Sequence, residues 1–199
     1  DYYIEPLTAI NASRVETIQI RQADGTLWDM PVTIHRTANG PVVKIIPAAS
    51  PDEQAQVVSW KYSHINYELN SLEGFLGLAR AGSMDEFGSS LKDLGVSQHF
   101  CYADRDGNIA YWMSGREPVR PQGEWRLPQG AAGAPLDWDI DDVHPLSTDR
   151  NTARGWYGGW NNKSSNSYSG GFNGIDTIYG PFHRTHTIYD YFDKKFKRG

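Results

Sequence analysis

The chain has 199 residues and a formal net charge of −5, with 39% hydrophobic and 22% charged residues. These values are typical of one large soluble globular domain and give no basic surface for a nucleic-acid partner. No apolar run reaches the length of a membrane span, and the single cysteine, Cys101, excludes a disulfide framework and a thiolate metal site.

Residues 14–46 have the alternating pattern of β-strands. Trp28, Met30, Val32 and Ile34 fall on one face, with mostly polar residues between them. The turn signals "ADG" (23–25) and "ANG" (38–40) separate the extended segments, because Asn-Gly tolerates positive φ angles. We therefore predict a β-hairpin excursion over 14–46.

Residues 69–94 have the spacing of two helices. Leu72, Phe75 and Leu76 recur at helical intervals, and glycine then interrupts the run. Ser83 and Glu86 form a capping-box pattern for the second helix. The segment predicts a helical pair.

The remaining part, 97–199, is predicted to hold a sheet. Residues 97–115 read as strand, polar turn and strand, "TARGWYGGW" (152–160) as a further strand, and a helix is expected from about residue 184. The predicted fold class is α+β with largely antiparallel pairing.

Three clusters of polar residues could form a metal site or a catalytic site, but each has a simpler structural interpretation. His183 and His186 stand three apart rather than at the four-residue spacing of helical metal ligands, which favours solvated side chains. Cys101 and His99 can share a strand face, although a buried, inert thiol is the usual outcome in an apolar strand.

The acidic segment "DWDIDD" (137–142) lacks the spacing of a calcium loop, and a solvated loop is the favoured interpretation. A glycosidase pair stays open, drawn from two of these aspartates or from one of them with Glu124, because such a pair is defined by spatial separation.

Two adjacent asparagines follow Trp160. The side-chain amide of Asn161 has two N–H donors, and a rigidly held amide can stabilise the oxyanion that forms during acyl transfer. The alternative is a polar turn at Asn161–Asn162, and composition favours the turn.

An ordered series of motifs resembles the penicillin acylase family of N-terminal nucleophile hydrolases. The series runs through "YADRDGNIAY" (102–111), a P-x-R at 118–120, "EWRLPQG" (124–130), "PLDWD" (135–139), "GWNN" (159–162) and Arg184. The resemblance covers most of the chain from about residue 56. It implies part of an αββα sandwich, with 1–199 as a single internal fragment of the β subunit of an enzyme that cleaves linear amides and the active-site portion in 97–199.

The resemblance assigns roles to five residues. Asn161 matches the oxyanion asparagine, Trp160 would fix its strand, and Arg184 matches the active-site arginine, for which a helix-start salt bridge is the alternative. Phe75 and Gln98 match positions of the acyl pocket, where Phe75 is either pocket wall or core. A glutamine at 98 disfavours a purely apolar acyl group.

The resemblance also implies partners, a cofactor and a location. The partners are a small-molecule amide substrate and the rest of the β and α subunits, with no nucleic acid and no membrane. Family members bind calcium. A carbonyl ligand would fall near Trp125 and other acidic ligands before Asp1, but Phe172 or Asn173 stands where a further carboxylate ligand is expected. No cofactor is therefore predicted for this chain, whereas calcium stays possible in the parent protein. The expected location is the bacterial periplasm or the medium.

The family nucleophile is the first residue of the β subunit, with its own α-amino group as base. Because Asp1 is no such nucleophile, the isolated chain is expected to be inactive. The rival class is a non-catalytic binding module in which Trp125, Trp138, Trp156 and Trp160 stack on sugars or aromatic ligands.

Overall fold

A computed structural model describes residues 1–125, 127–130, 137–165, 168 and 183–196. The chain divides into two compact units, the first comprising Asp1–Tyr62 and Arg120–Asp137 and the second Ser63–Val119 and Trp138–Gly199. In chain order the elements are β1 (Tyr2–Pro6), β2 (Ala12–Arg21), β3 (Leu27–Thr37), β4 (Gly40–Ile46), β5 (Gln56–Trp60), α1 (Asn70–Arg80), α2 (Met84–Ser90), β6 (His99–Ala103), β7 (Ile109–Met113), β8 (Gln129–Gly130), β9 (Thr148–Arg150) and α3 (His183–Phe196).

The first unit is built on a sheet with the strand order β2-β3-β4-β5-β1-β8. Its pairings are antiparallel except for the short parallel pair β1–β8. The strands predicted within 14–46 are confirmed as β2, β3 and β4, whereas the division into an excursion (14–46), a helical pair (69–94) and a sheet with the active-site portion (97–199) stays a prediction. The β2–β3 turn depends on Gly25, which has a φ of 86°, and on Asp24, whose Oδ1 accepts from the backbone N–H of Thr26 at 2.9 Å.

Strands β1 and β5 were not predicted. Their pairing joins Tyr3 to Ser59, so it depends on contacts between distant parts of the chain rather than on a local turn. The pair encloses a buried carboxylate, Glu5, which accepts hydrogen bonds from Thr37 Oγ1 at 2.7 Å and from the Ser59 hydroxyl. These donors satisfy a group that is costly to bury without partners.

The second unit contains an antiparallel sheet with the order β6-β7-β9. The predicted β6–β7 hairpin is confirmed, with Cys101 opposite Tyr111. Its turn is closed by Asp104, whose Oδ1 accepts from the backbone N–H groups of Asp106 and Asn108, both at 2.9 Å. These bonds, and above all the bond from the Asn108 side chain, lower the pKa of Asp104.

The predicted helical pair is confirmed as α1 and α2. Ser83 caps α2 by accepting from the Glu86 N–H at 3.2 Å, whereas the Glu86 carboxylate reaches back to the N–H of Gly82 at 2.7 Å, one residue before the usual capping-box partner. The helices and the sheet share a buried apolar cluster that is formed by Leu91, Leu94, Ala110 and Trp112.

The strand predicted over 152–160 is wrong. Strand β9 ends at Arg150, and a turn follows in which the Gly155 N–H donates to the Thr152 carbonyl oxygen at 3.0 Å. The positive φ of Gly155, 79°, supports this turn, which takes the chain out of the ladder. The following segment packs against α3, whose predicted start near residue 184 is confirmed.

The α+β fold class is confirmed by two largely antiparallel sheets and the helices α1, α2 and α3. Among the described helices, none has both the length and the apolar composition that a bilayer crossing requires.

Candidate active site

Trp156 anchors the segment that leads to Asn161. Its side chain is buried, with ring centroids 5.1 Å from those of Tyr189 and Phe192 on α3. The guanidinium of Arg154 lies 4.8 Å from the Trp156 ring centroid on this surface. The aromatic packing fixes the segment onto one side of α3.

Gly158 and Gly159 allow the backbone to approach its neighbours closely. A Cβ on Gly158 would lie 3.1 Å from Cγ2 of Ile188, and a Cβ on Gly159 would lie 3.0 Å from Oδ1 of Asn162. Both distances are shorter than ordinary van der Waals contact. The glycines therefore bring the chain close to α3 and to the Asn162 amide immediately before Asn161.

Asn161 occupies a left-handed backbone conformation, with a φ of 53°. Asparagine tolerates this region better than most residues. The residue is exposed, and its side chain makes no hydrogen bond with any residue that the structure describes. Both amide N–H donors are therefore available to a bound molecule.

Asn162 is held from two directions. Its Oδ1 accepts from the Trp160 backbone N–H at 2.8 Å and from Thr185 Oγ1 at 3.1 Å. The first bond closes a tight turn over Asn161, and the second ties that turn to the first turn of α3.

Arg184 lies in the same first turn of α3. Its guanidinium is 5.4 Å from the ring centroid of the exposed Trp160. Within the described residues it makes no ion pair, so the alternative of a helix-start salt bridge is not seen there. The positive end of the helix dipole adds to the charge of Arg184, and together they favour an anionic group beside the Asn161 turn.

His99 and Tyr111 lie beneath the turn, although the sequence pattern pairs His99 only with Cys101. The His99 Nδ1 and the Tyr111 hydroxyl oxygen are 2.6 Å apart, and a Cβ on Gly159 would lie 3.5 Å from that nitrogen. Burial lowers the pKa of His99 and raises that of Tyr111. Both are therefore neutral at pH 7, and Arg184 supplies the charge near the turn.

The positions of the two predicted pocket residues, Phe75 and Gln98, do not show whether they line an acyl pocket. Phe75 lies on α1 and is 46% exposed, which disagrees with a core position in the described structure. Gln98 directly precedes β6 and has an exposed side chain, while its backbone N–H donates to Ser114 Oγ at 3.1 Å. Their roles as pocket walls remain predictions.

The other histidine and cysteine candidates have ordinary surroundings. His186 Nδ1 lies 3.4 Å from Oδ2 of Asp190, one turn along α3, and His183 is exposed. The Cys101 side chain is exposed on β6 rather than buried as the sequence suggests, and partial desolvation raises the pKa of its thiol, which leaves it protonated and weakly nucleophilic at neutral pH.

The acidic segment makes structural contacts. In the first unit, the Asp137 carboxylate accepts from Tyr3 at 2.8 Å and from Lys61 at 2.7 Å. In the second unit, Asp141 accepts from the Tyr67 hydroxyl at 2.6 Å. These two carboxylates are engaged with neighbouring side chains.

Two of the four tryptophans proposed for a binding module are unavailable for stacking on a ligand. Trp138 and Trp156 are 5% and 6% exposed. The guanidinium of Arg120 covers Trp125 at 4.2 Å from its ring centroid, and Arg184 lies over Trp160. The tryptophans thus serve packing and cation–π contacts in the described structure.

Comparison with known proteins agrees with the earlier resemblance. The family model for penicillin amidase matches residues 9–198. The chain belongs to the penicillin amidase family. A solved structure of thermostable penicillin G acylase from Alcaligenes faecalis matches with a TM-score of 0.76 and 27% identity. The match covers 98% of this chain and 36% of that one, so the chain spans about a third of the acylase that it resembles.

Penicillin amidase membership raises the question of calcium. Across the described ranges, no group of three or more His, Cys, Asp or Glu side chains is placed to hold a metal ion. Phe172 and Asn173, the positions considered for a carboxylate ligand, lie outside the described residues. That this chain holds no cofactor therefore remains a prediction.

Proposed function

We propose that this chain supplies the oxyanion-binding amide and a cationic side chain to the active site of an amidase that cleaves linear amides. The supporting observation is the placement of Asn161, an exposed residue with two available N–H donors, next to the first turn of α3 that carries Arg184. The nucleophile is assigned to another part of the protein.

In the proposed reaction, a nucleophilic hydroxyl or thiol passes its proton to the α-amino group of the same residue and attacks the amide carbonyl carbon, so that negative charge develops on the carbonyl oxygen. Collapse of this intermediate breaks the C–N bond and releases the amine, which takes up the proton. Asn161 donates an N–H to the carbonyl oxygen. Arg184 and the N-terminal end of α3 provide a positive potential at the same place. Because the turn is held on both sides, these groups need little reorganisation during the reaction.

The proposal extends to substrate class and location. The candidate amides are a penicillin side chain, an N-acyl homoserine lactone and an acylated peptide, and the amide of Gln98 disfavours a purely apolar acyl group if it lines the acyl pocket. The enzyme is proposed to work in the bacterial periplasm or the medium, assembled from α and β subunits. The 199-residue chain by itself is proposed to be inactive.

The test uses the full-length protein and a panel of aromatic and long-chain acyl anilides. Asn161→Ala should lower kcat by about two to three orders of magnitude, because one oxyanion donor is lost. Asn11→Ala, which removes another exposed asparagine amide, is the matched control and should leave kcat unchanged. Full activity of Asn161→Ala, or a parent that hydrolyses none of the panel, would contradict the proposal.

A further inference from the structure

The amide of Asn162 has a different environment from that of Asn161. Its oxygen accepts two hydrogen bonds, from the Trp160 N–H at 2.8 Å and from Thr185 Oγ1 at 3.1 Å. Its nitrogen donates to the Lys163 carbonyl oxygen at 2.9 Å. Asn162 is partly buried, and Thr185 is 1% exposed. The Asn162 amide therefore makes its hydrogen bonds within the protein, whereas the Asn161 amide can bind a substrate.

The two partners of the Asn162 oxygen flank the two proposed site residues. Trp160 immediately precedes Asn161, and Thr185 immediately follows Arg184. A single oxygen atom therefore connects the turn that carries the oxyanion donor to the helix turn that carries the cation. The left-handed conformation of Asn161, with a φ of 53°, lies inside the closed turn.

We infer that Asn162 and Thr185 are positioning residues that hold the Asn161 amide and Arg184 in one fixed arrangement. The inference rests on the proposed function of Asn161. An oxyanion donor contributes most when it is already oriented, and a misplacement of about 1 Å can cost about a hundredfold in rate. Neither residue touches the reacting atoms in this account.

A purely structural role makes a different prediction. If the Thr185–Asn162 bond supported only folding, its loss would lower stability and would affect activity equally whether or not residue 161 were an asparagine. If the bond acts through Asn161, its loss has no further effect once the Asn161 amide is removed. A double-mutant cycle separates these cases.

The cycle combines Thr185→Val, which removes the hydroxyl with little change in shape, with Asn161→Ala in the full-length protein. We expect Thr185→Val to lower kcat about tenfold with KM nearly unchanged, and to lower it less than about twofold in the Asn161→Ala background. Thr185→Ser, which keeps the donor, should restore most of the activity.

Thr187→Val is the matched control. Thr187 lies one residue beyond His186 on the same helix and is exposed, and its hydroxyl donates to the His183 carbonyl oxygen at 3.0 Å. Its replacement should leave kcat within about twofold. If Thr187→Val lowers kcat as much as Thr185→Val does, then the loss of any threonine hydroxyl on α3 has this effect, and the inference is overturned.

Other outcomes are equally decisive. The inference is overturned if Thr185→Val lowers kcat equally in the parent and in Asn161→Ala, or if it does not lower kcat in the parent. Either result leaves the role of Asn161 intact. If Asn161→Ala is fully active, the proposed function itself fails. If Thr185→Val does not mature, Asn162→Ala takes its place in the cycle. If neither matures while Thr185→Ser does, the bond serves folding and the inference is overturned.

Discussion

Asn161 and Asn162 have the same side chain, adjacent positions and different environments. The Asn161 amide makes no hydrogen bond with a described residue, whereas the Asn162 amide uses its oxygen twice and its nitrogen once within the protein. Sequence alone could not separate them, because both fit a polar turn. The difference arises from Thr185, which lies 23 residues further along the chain than Asn162.

Gly159 provides a test of how closely the turn is packed. A Cβ at this position would lie 3.0 Å from Asn162 Oδ1, so the amide would have to shift. We expect Gly159→Ala in the full-length protein to lower kcat about tenfold, with little change in melting temperature. Gly130→Ala, where a Cβ would meet nothing within 4 Å, is the control. Parental activity in Gly159→Ala would show that the position of the Asn162 amide is unimportant.

His99 predicts a dependence of stability on pH. Burial holds its pKa below the ordinary value of 6.5, so the unfolded chain binds a proton at a higher pH than the folded one. The stability that His99 contributes is therefore fully present above about pH 6.5 and falls as the pH drops through that value. His64, whose pKa burial also lowers, acts in the same direction.

The measurement is the denaturation midpoint of the full-length protein at about pH 8 and about pH 5.5, with His99→Gln as the variant. The variant should lose less stability on acidification than the parent, and some loss should remain because His64 still titrates. An identical pH dependence in parent and variant would contradict the assigned pKa shift of His99.

At the scale of elements, sequence patterns predicted the hairpins and helices that are formed by contacts between residues close together in the chain. The β2–β3 and β6–β7 hairpins and the α1–α2 pair followed from turn residues, strand alternation and helical spacing. The β1–β5 pair was missed because it joins residues fifty or more positions apart. The supposed strand over 152–160 was wrong because a turn at Gly155 and packing of Trp156 on α3 outweigh strand propensity.

The cap of α2 gives a prediction at this scale. Ser83 satisfies the Glu86 N–H, so Ser83→Ala should cost about 1 kcal/mol of local stability. Amide hydrogen exchange of the α2 peptide in the full-length protein should become about fivefold faster. Ser89→Ala, an exposed change within the same helix, should not accelerate exchange. Unchanged exchange in Ser83→Ala would contradict the capping role.

At the scale of the whole molecule, the α+β fold class follows from the order of the predicted strands and helices, and the family follows from an ordered series of motifs along the chain. The site residues came from that resemblance, since composition favoured a polar turn. The contacts that place the turn against α3 are long-range and left no pattern that sequence analysis could detect. An exposed apolar stripe, formed by Leu69 directly before α1 and by Leu72, Phe75 and Leu76 on α1, fits the proposal that other parts of the protein complete the enzyme.

The most direct measurement of the central claim is kcat of matured, full-length Asn161→Ala relative to the parent, on the anilide that the parent hydrolyses best. Maturation is checked first by sequencing the new N-terminus of the β subunit. The account predicts that the variant matures and loses at least about a hundredfold in kcat. A matured variant with the activity of the parent would show that Asn161 is not the oxyanion donor.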